Sequence, residues 1–175
     1  MSSHESASIS GWCDKALIDL AEYLNGMAFK PSDWTEEGAK IIRIEQLNNP
    51  TGKYDHFQGA FPEEHQIDDG DLIFSWSATL KVALWRHGPG VLNQHLFKVV
   101  PRHGTDKHFL YHLLDYYMEE IAAGSHGSTM RHIKRGELTT FRVSIPCNEA
   151  EQRKIAHILT TLDAVIERTE ALQVG

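Results

Sequence analysis

The chain has 175 residues, 41% of them hydrophobic and 23% charged, with a formal net charge of −7. That length fits one globular domain with a short extension, and excludes two full domains. No apolar run approaches the roughly 18 residues of a membrane span and the N-terminus lacks the pattern of a secretory signal, so the expected setting is the cytoplasm, away from membranes.

Two cysteines, Cys13 and Cys147, are too few for a disulfide framework and too far apart in sequence for a CxxC pair; two buried thiols are expected. The charge is unevenly distributed. Residues 1–72 carry −9 and residues 73–136 carry +4, and the middle also holds seven of the eleven histidines: His87, His95, His103, His108, His112, His126 and His132. A basic middle can bind a polyanion on an acidic chain, although charge also fluctuates along any solvated surface.

In chain order, residues 1–10 are Ser-rich and expected to be disordered. Trp12, Ala16, Leu17, Leu20 and Leu24 recur at three- and four-residue steps, but the segment 17–20 also reads as strand, so the assignment stays open. Residues 26–34 read as a loop ending in a helical turn at Ser32–Trp34. KIIRIEQL (40–47) alternates like a half-buried strand. Residues 66–67, 71–76, 80–85 and 91–100 read as successive strands of a largely meandering sheet, with turns at 68–70, 77–79 and 87–90.

Phe109, Leu110, Leu113, Leu114, Tyr117, Met118 and Ile121 then mark an amphipathic helix, capped by Thr105 or Asp106 and stopped at Gly124. A polar loop at 124–129, a brief helical turn in MRHIKRGEL (130–138) and a strand at 141–146 follow. From Asn148, an N-cap with Glu151 three residues on, a long helix is expected to 172. Its stripe of Ile155, Ile158, Leu159, Leu162, Val165, Ile166 and Leu172 calls for a partner helix.

Catalytic patterns are missing. There is no phosphate-cradling GxxxxGK loop, no GxGxxG after a strand, and no tetrapeptide of an amino-methyltransferase. His108 and His112, four apart on a helix, lack a third ligand of suitable spacing, so no metal or other cofactor is expected. Ser125 and Ser128 near His126 and His132 imitate a nucleophile with its base, but nothing supplies an oxyanion hole. What remains is a set of polar and aromatic residues at strand ends. Ser75, Trp76 and Ser77, then Asn93, Gln94 and His95, interrupt apolar strands. Amides pair with adenine and Trp wedges against a base, or else these groups satisfy loop backbone and fill core. Lys81, Arg86, Arg131, Lys134 and Arg135 are candidate phosphate contacts, or simply solvated surface.

FSWSATL (74–80), GVLNQHLFKVVP (90–101), FLYHLLD (109–115), GSTMRHIKRGELTTFRVSIP (127–146) and EAEQRKIAHILTTLDAVI (149–166), in that order, resemble a target recognition domain and its following helix from the specificity subunit of type I restriction-modification systems. GMAFKPSDW (26–34) and GAKIIRIEQLN (38–48) resemble the opening of that domain. The resemblance implies a non-catalytic α/β (α+β) recognition domain at 11–147, with a mixed, mostly antiparallel sheet, and a coiled-coil spacer and dimerisation helix at 148–172. It implies that the chain reads one half-site of a bipartite duplex DNA target and directs methyltransferase (M) and restriction (R) subunits to it. The chain is half the usual length, so a homodimer, or pairing with a second half subunit through the helix, would complete the reader. The candidate DNA contacts are Lys30, Ser75, Trp76, Ser77, Lys81, Asn93, Gln94, His95, Ser128, Thr129, Arg131, His132 and Lys134. The competing readings are a protein-interaction module whose functional surface is the C-terminal helix, and a small hydrolase or nuclease using Ser128, His126 or His132.

Overall fold

A computed structural model describes residues 10–77, 79–123, 133 and 135–173. The expectations for residues 1–9 and for the loop at 124–129, the Gly124 helix stop and most of the turn at 130–134 lie outside these residues.

The first two strands, β1 (Trp12–Ala16) and β2 (Ala21–Asn25), flank a single helical turn, α1 (Leu17–Leu20). This resolves the open segment at 12–24. Leu17 and Leu20 are buried three apart on one side of the turn, while the strands on either side take extended pairings with β10 (Arg142–Pro146) and β9 (Leu96–Pro101).

A one-turn 3-10 helix at Pro31–Asp33 precedes β3 (Ala39–Ile42), and α2 (Ile44–Asn48) follows at once. The strand expected over 40–47 therefore stops at Ile42. The Gln46 side chain accepts a hydrogen bond from the Arg43 N–H at 3.1 Å, so polar residues that read as the outer face of a strand instead start a helix. Short strands β4 (His56–Phe57) and β5 (Gln66–Ile67) come next, then β6 (Leu72–Ser75), β7 (Lys81–Leu84), β8 (Gly90–Leu92) and β9. The remaining elements are α3 (Lys107–Ala123), α4 (Arg135–Thr140), β10 and α5 (Glu149–Gln173). Asp106 caps α3, its Oδ1 accepting the Phe109 N–H at 2.9 Å.

Among the described residues the strands form three sheets rather than one meander: the ribbon β1-β10, a sheet ordered β2-β9-β6-β7, and a sheet ordered β4-β3-β8-β5. All pairings are antiparallel except β3 with β8. The single strand expected over 91–100 is broken at 93–95. β8 belongs to the third sheet and β9 to the second, and the chain turns the corner between them.

The second sheet is covered on both faces, which explains why its strands read as continuous apolar runs. Leu72, Phe74, Val82, Phe97 and Val99 pack with Leu17, Tyr23, Leu110, Leu114 and Ile121 on the helical side. Ile73 and Leu96 face the other way, into a smaller core with Ile42, Leu47, Ile67, Trp85 and Leu92.

Cys13 and Cys147 are not two buried thiols. They are joined by a disulfide, because the first and last strands of the domain are neighbours; separation in sequence says nothing about distance when the chain closes on itself. Cys147 is exposed.

Candidate nucleic-acid interface

One corner of the fold gathers most of the polar candidates that the structure describes. At the end of β2 the chain passes so close to the β8–β9 corner that a Cβ on Gly26 would lie 2.2 Å from the Leu92 carbonyl oxygen and 2.3 Å from that of Asn93. Only glycine fits. Backbone hydrogen bonds lock the approach: Gly26 N–H to Leu96 O at 3.1 Å, Met27 N–H to Leu92 O at 2.7 Å, and Gln94 N–H to Met27 O at 2.9 Å. The Asn93 N–H adds a bond to Ile42 O at 2.9 Å, fastening the corner to β3 as well.

Within this frame the candidates separate into those that build the corner and those that it presents. Ser75 is fully buried, and its hydroxyl donates to Thr79 O at 2.6 Å. Asn93 is 7% exposed and its Oδ1 accepts the His95 N–H at 3.2 Å, holding the turn. Ser77 is buried, 3.4 Å from His95 Nδ1 through its hydroxyl. Trp76 is half-buried, its ring tilted 5.9 Å from that of His95 and 5.8 Å from that of Phe97. Gln94, His95 and Lys30 are exposed. So is Asn25, whose Nδ2 donates to Gln94 O at 3.4 Å. Sequence reasoning missed Asn25; the signal was an amide placed just before a glycine at a strand end. The Ile133 N–H donates to Trp76 O at 2.8 Å, bringing that residue to the same side. Ser128, Thr129, Arg131, His132 and Lys134 lie outside the described residues.

Among the described residues, several cations of the basic middle are engaged within the domain. Lys81 Nζ donates to Leu47 O at 2.7 Å, closing the end of α2, and Lys107 Nζ donates to Gly70 O at 2.6 Å. Lys98 pairs with Asp71 at 3.0 Å, Arg102 with Glu22 at 3.2 Å, and Arg135 donates to Tyr23 O.

The root of α5 is tied down by two buried residues, Ala156 in the core and Gln152 through hydrogen bonds. Gln152, 1% exposed, donates from Nε2 to Pro146 O at 2.9 Å and Gly104 O at 3.1 Å, and accepts the Asp106 N–H at 2.9 Å. Asn148 caps the helix as its sequence indicates, Oδ1 accepting the Ala150 N–H at 2.8 Å, while the Glu151 carboxylate is engaged by Lys154. Ile155 packs on the core, so the outward stripe begins at Ile158. From there Ile158, Leu159, Leu162, Val165, Ile166 and Leu172 are exposed large apolar residues, Val165 by 55%.

A cleft of about 410 Å³ separates β7 and α3 from the polar side of α5. Across it His112 Nε2 lies 2.9 Å from Thr160 Oγ1 and Nδ1 lies 3.7 Å from Asp163. Burial pushes the His112 pKa below the ordinary histidine value; Asp163 and Asp115 oppose this, and His108 adds to it. Among the described residues, no three His, Cys, Asp or Glu side chains stand together as a metal-holding group.

Residues 9–174 match the family model for the type I restriction modification DNA specificity domain. The chain belongs to that family. It is 31% identical over 164 residues to the EcoBI type I restriction enzyme specificity subunit of Escherichia coli, covering 91% of this chain and 34% of that protein. Among solved structures, the HsdS subunit of Thermoanaerobacter tengcongensis superposes with a TM-score of 0.70 at 18% identity, covering 98% of this chain and 42% of that one. A chain from a structure of type I restriction-modification complex assembly gives 0.72 at 19% identity, covering 97% of this chain and 44% of that one. These two likenesses establish the fold. This specificity domain thus spans 34–40% of the length of the curated relatives it matches. Its mixed sheets with packed helices and long C-terminal helix are the architecture expected from sequence. Specificity subunits are generally non-catalytic.

Proposed function

We propose that this specificity domain reads one half-site of a bipartite duplex DNA target and does no chemistry of its own. The observation that carries the reading is the corner at 93–95, where exposed Gln94, His95 and Asn25 stand on a frame locked by backbone hydrogen bonds from three strands. An amide held this way suits bidentate pairing with adenine in the major groove, and Lys30 on the adjoining segment suits a phosphate. Ser75, Ser77 and Asn93 support the corner. Trp76 packs beneath His95, and Lys81 serves α2. Ser128, Thr129, Arg131, His132 and Lys134 stay on the list of proposed DNA contacts. In this reading residues 11–147 form the reader and 148–172 the spacer. The protein works in the cytoplasm with methyltransferase and restriction subunits. Its second half-site reader comes through α5, from another copy or from a different half subunit.

The test is competition binding of the protein with its methyltransferase subunit to duplexes from a randomised pool. Gln94→Ala should cost discrimination of roughly 1–3 kcal/mol at one base pair. Lys30→Ala should weaken all duplexes alike and lower the salt slope by about 1. A protein that shows no preference among duplexes, or whose binding does not respond to salt, is not a DNA reader.

A further inference from the structure

The disulfide sits where the domain's first strand meets the root of its last helix. Cys13 pairs in register with Ile145, and the Cys147 N–H donates to Gly11 O at 2.9 Å, so the bridge, with Cα atoms 5.2 Å apart, closes the ribbon just before the Asn148 cap. Apart from its ladder with β10, little else pins this end of β1. Of its five residues only Ala16 is buried; the Arg142–Asp14 pair at 2.6 Å holds its middle, and Leu17 in the core anchors its far end. Cys147 is exposed and Cys13 half-buried, so the bridge lies at the surface of the domain. The root of α5 has a further anchor away from the bridge, in the bonds of Gln152 with Gly104 O and the Asp106 N–H.

We propose that Cys13 and Cys147 form a reversible thiol–disulfide exchange site for low-molecular-weight disulfides, acting as a staple on the N-terminal strand. In the reduced chain the Cys147 thiolate attacks the small disulfide, forming a mixed disulfide and releasing one small thiol. Cys13, deprotonated, then attacks the Cys147 sulfur, expelling the second small thiol and closing the bridge. Two protein thiols are oxidised, one small disulfide is reduced to two thiols, and the two protons pass to them. A small thiol in excess runs the sequence backward. A cytoplasmic disulfide is expected to be of this transient kind rather than a permanent brace. The state of the pair sets how often β1 peels from β10 while α5 keeps its place. This inference rests on the cytoplasmic setting proposed above, but not on which residues read DNA.

The experiment uses the full chain, reduced and then exposed to excess oxidised glutathione, with alkylation and intact-mass readout alongside amide hydrogen exchange. The reduced chain should lose both alkylatable thiols and the mass of two hydrogens, with no lasting glutathione adduct. Amide exchange over Trp12–Ala16 should slow at least ~10-fold on oxidation while α5 is unchanged, since local opening is governed by the contacts that hold that segment. Cys13→Ser should retain slow exchange in α3, showing that it folds, accumulate the glutathione adduct on Cys147, and keep fast exchange in β1. Two thiols that stay alkylatable, a mixed disulfide that never resolves in the unaltered chain, or identical β1 exchange in both states would each overturn the proposal.

Discussion

His112 of α3 and Thr160 of α5 share a hydrogen bond of 2.9 Å across the mouth of the cleft, and it is made by a ring whose pKa burial has pushed down. The unfolded chain therefore takes up a proton at this position before the folded one does. Stability is complete above the unfolded histidine value of about 6.5 and falls as pH drops from there toward the lowered folded value. Urea midpoints at pH 7.5 and 5.5 should differ more for the unaltered protein than for His112→Gln, which keeps an amide near Thr160 and does not titrate. Equal pH sensitivity would show that His112 does not carry the effect.

Gln152 is a polar tie between α5 and the body of the fold. Gln152→Leu fills similar volume but strands the Asp106 N–H and two carbonyl oxygens, so a loss of about 3 kcal/mol in urea unfolding is expected. Gln152→Glu should recover part of it, because its carboxylate still accepts from Asp106.

Gly26→Ala should be as damaging as a core truncation, about 2 kcal/mol or more, because its methyl would meet two backbone oxygens that belong to a rigid corner. Gly88→Ala is a useful contrast. No atom lies within 4 Å of its Cβ position, and its φ of +78° alone should cost about 1 kcal/mol. Thermal melts of the two variants side by side check the order.

The proposed helix pairing predicts that Leu162→Glu with Val165→Glu abolishes self-association in sedimentation velocity and leaves the melting temperature within a degree or two, since both side chains are more than half exposed. A sedimentation coefficient that the double variant leaves unchanged would remove α5 as the pairing surface.

The architecture was legible where burial is one-sided. The periodicity of Phe109, Leu110, Leu114, Met118 and Ile121 marked α3, with Asp106 one of two caps considered, and the helical turn expected at 32–34 and found at 31–33, the β6–β7 hairpin and the start of α5 at Asn148 were readable from turn and cap chemistry. Legibility ended where one residue serves two structures. Leu17–Leu20 is a helical turn between strands, too short for periodicity to decide. Arg43 ends a strand and starts a helix, and apolar Leu92 and Leu96 on both sides of the 93–95 corner hid the change of sheet. At the site, the right region was visible but not the division of labour. That an Asn or Ser is buried in service of a turn, while its neighbour faces outward, depends on contacts from β2 and β3 that sequence spacing does not encode. The cysteine pairing was hidden for the same reason.

The closeness of Gly26 to the β8–β9 corner bears on affinity as well as on shape. Gln94 has its N–H and carbonyl already committed, so on meeting a ligand it has little backbone freedom to surrender and only its side-chain torsions to fix. If the corner reads DNA as proposed, a change of amino acid at position 94 alters what is recognised at almost no cost in rigidity, which makes it a place where new sequence preferences can arise without rebuilding the domain.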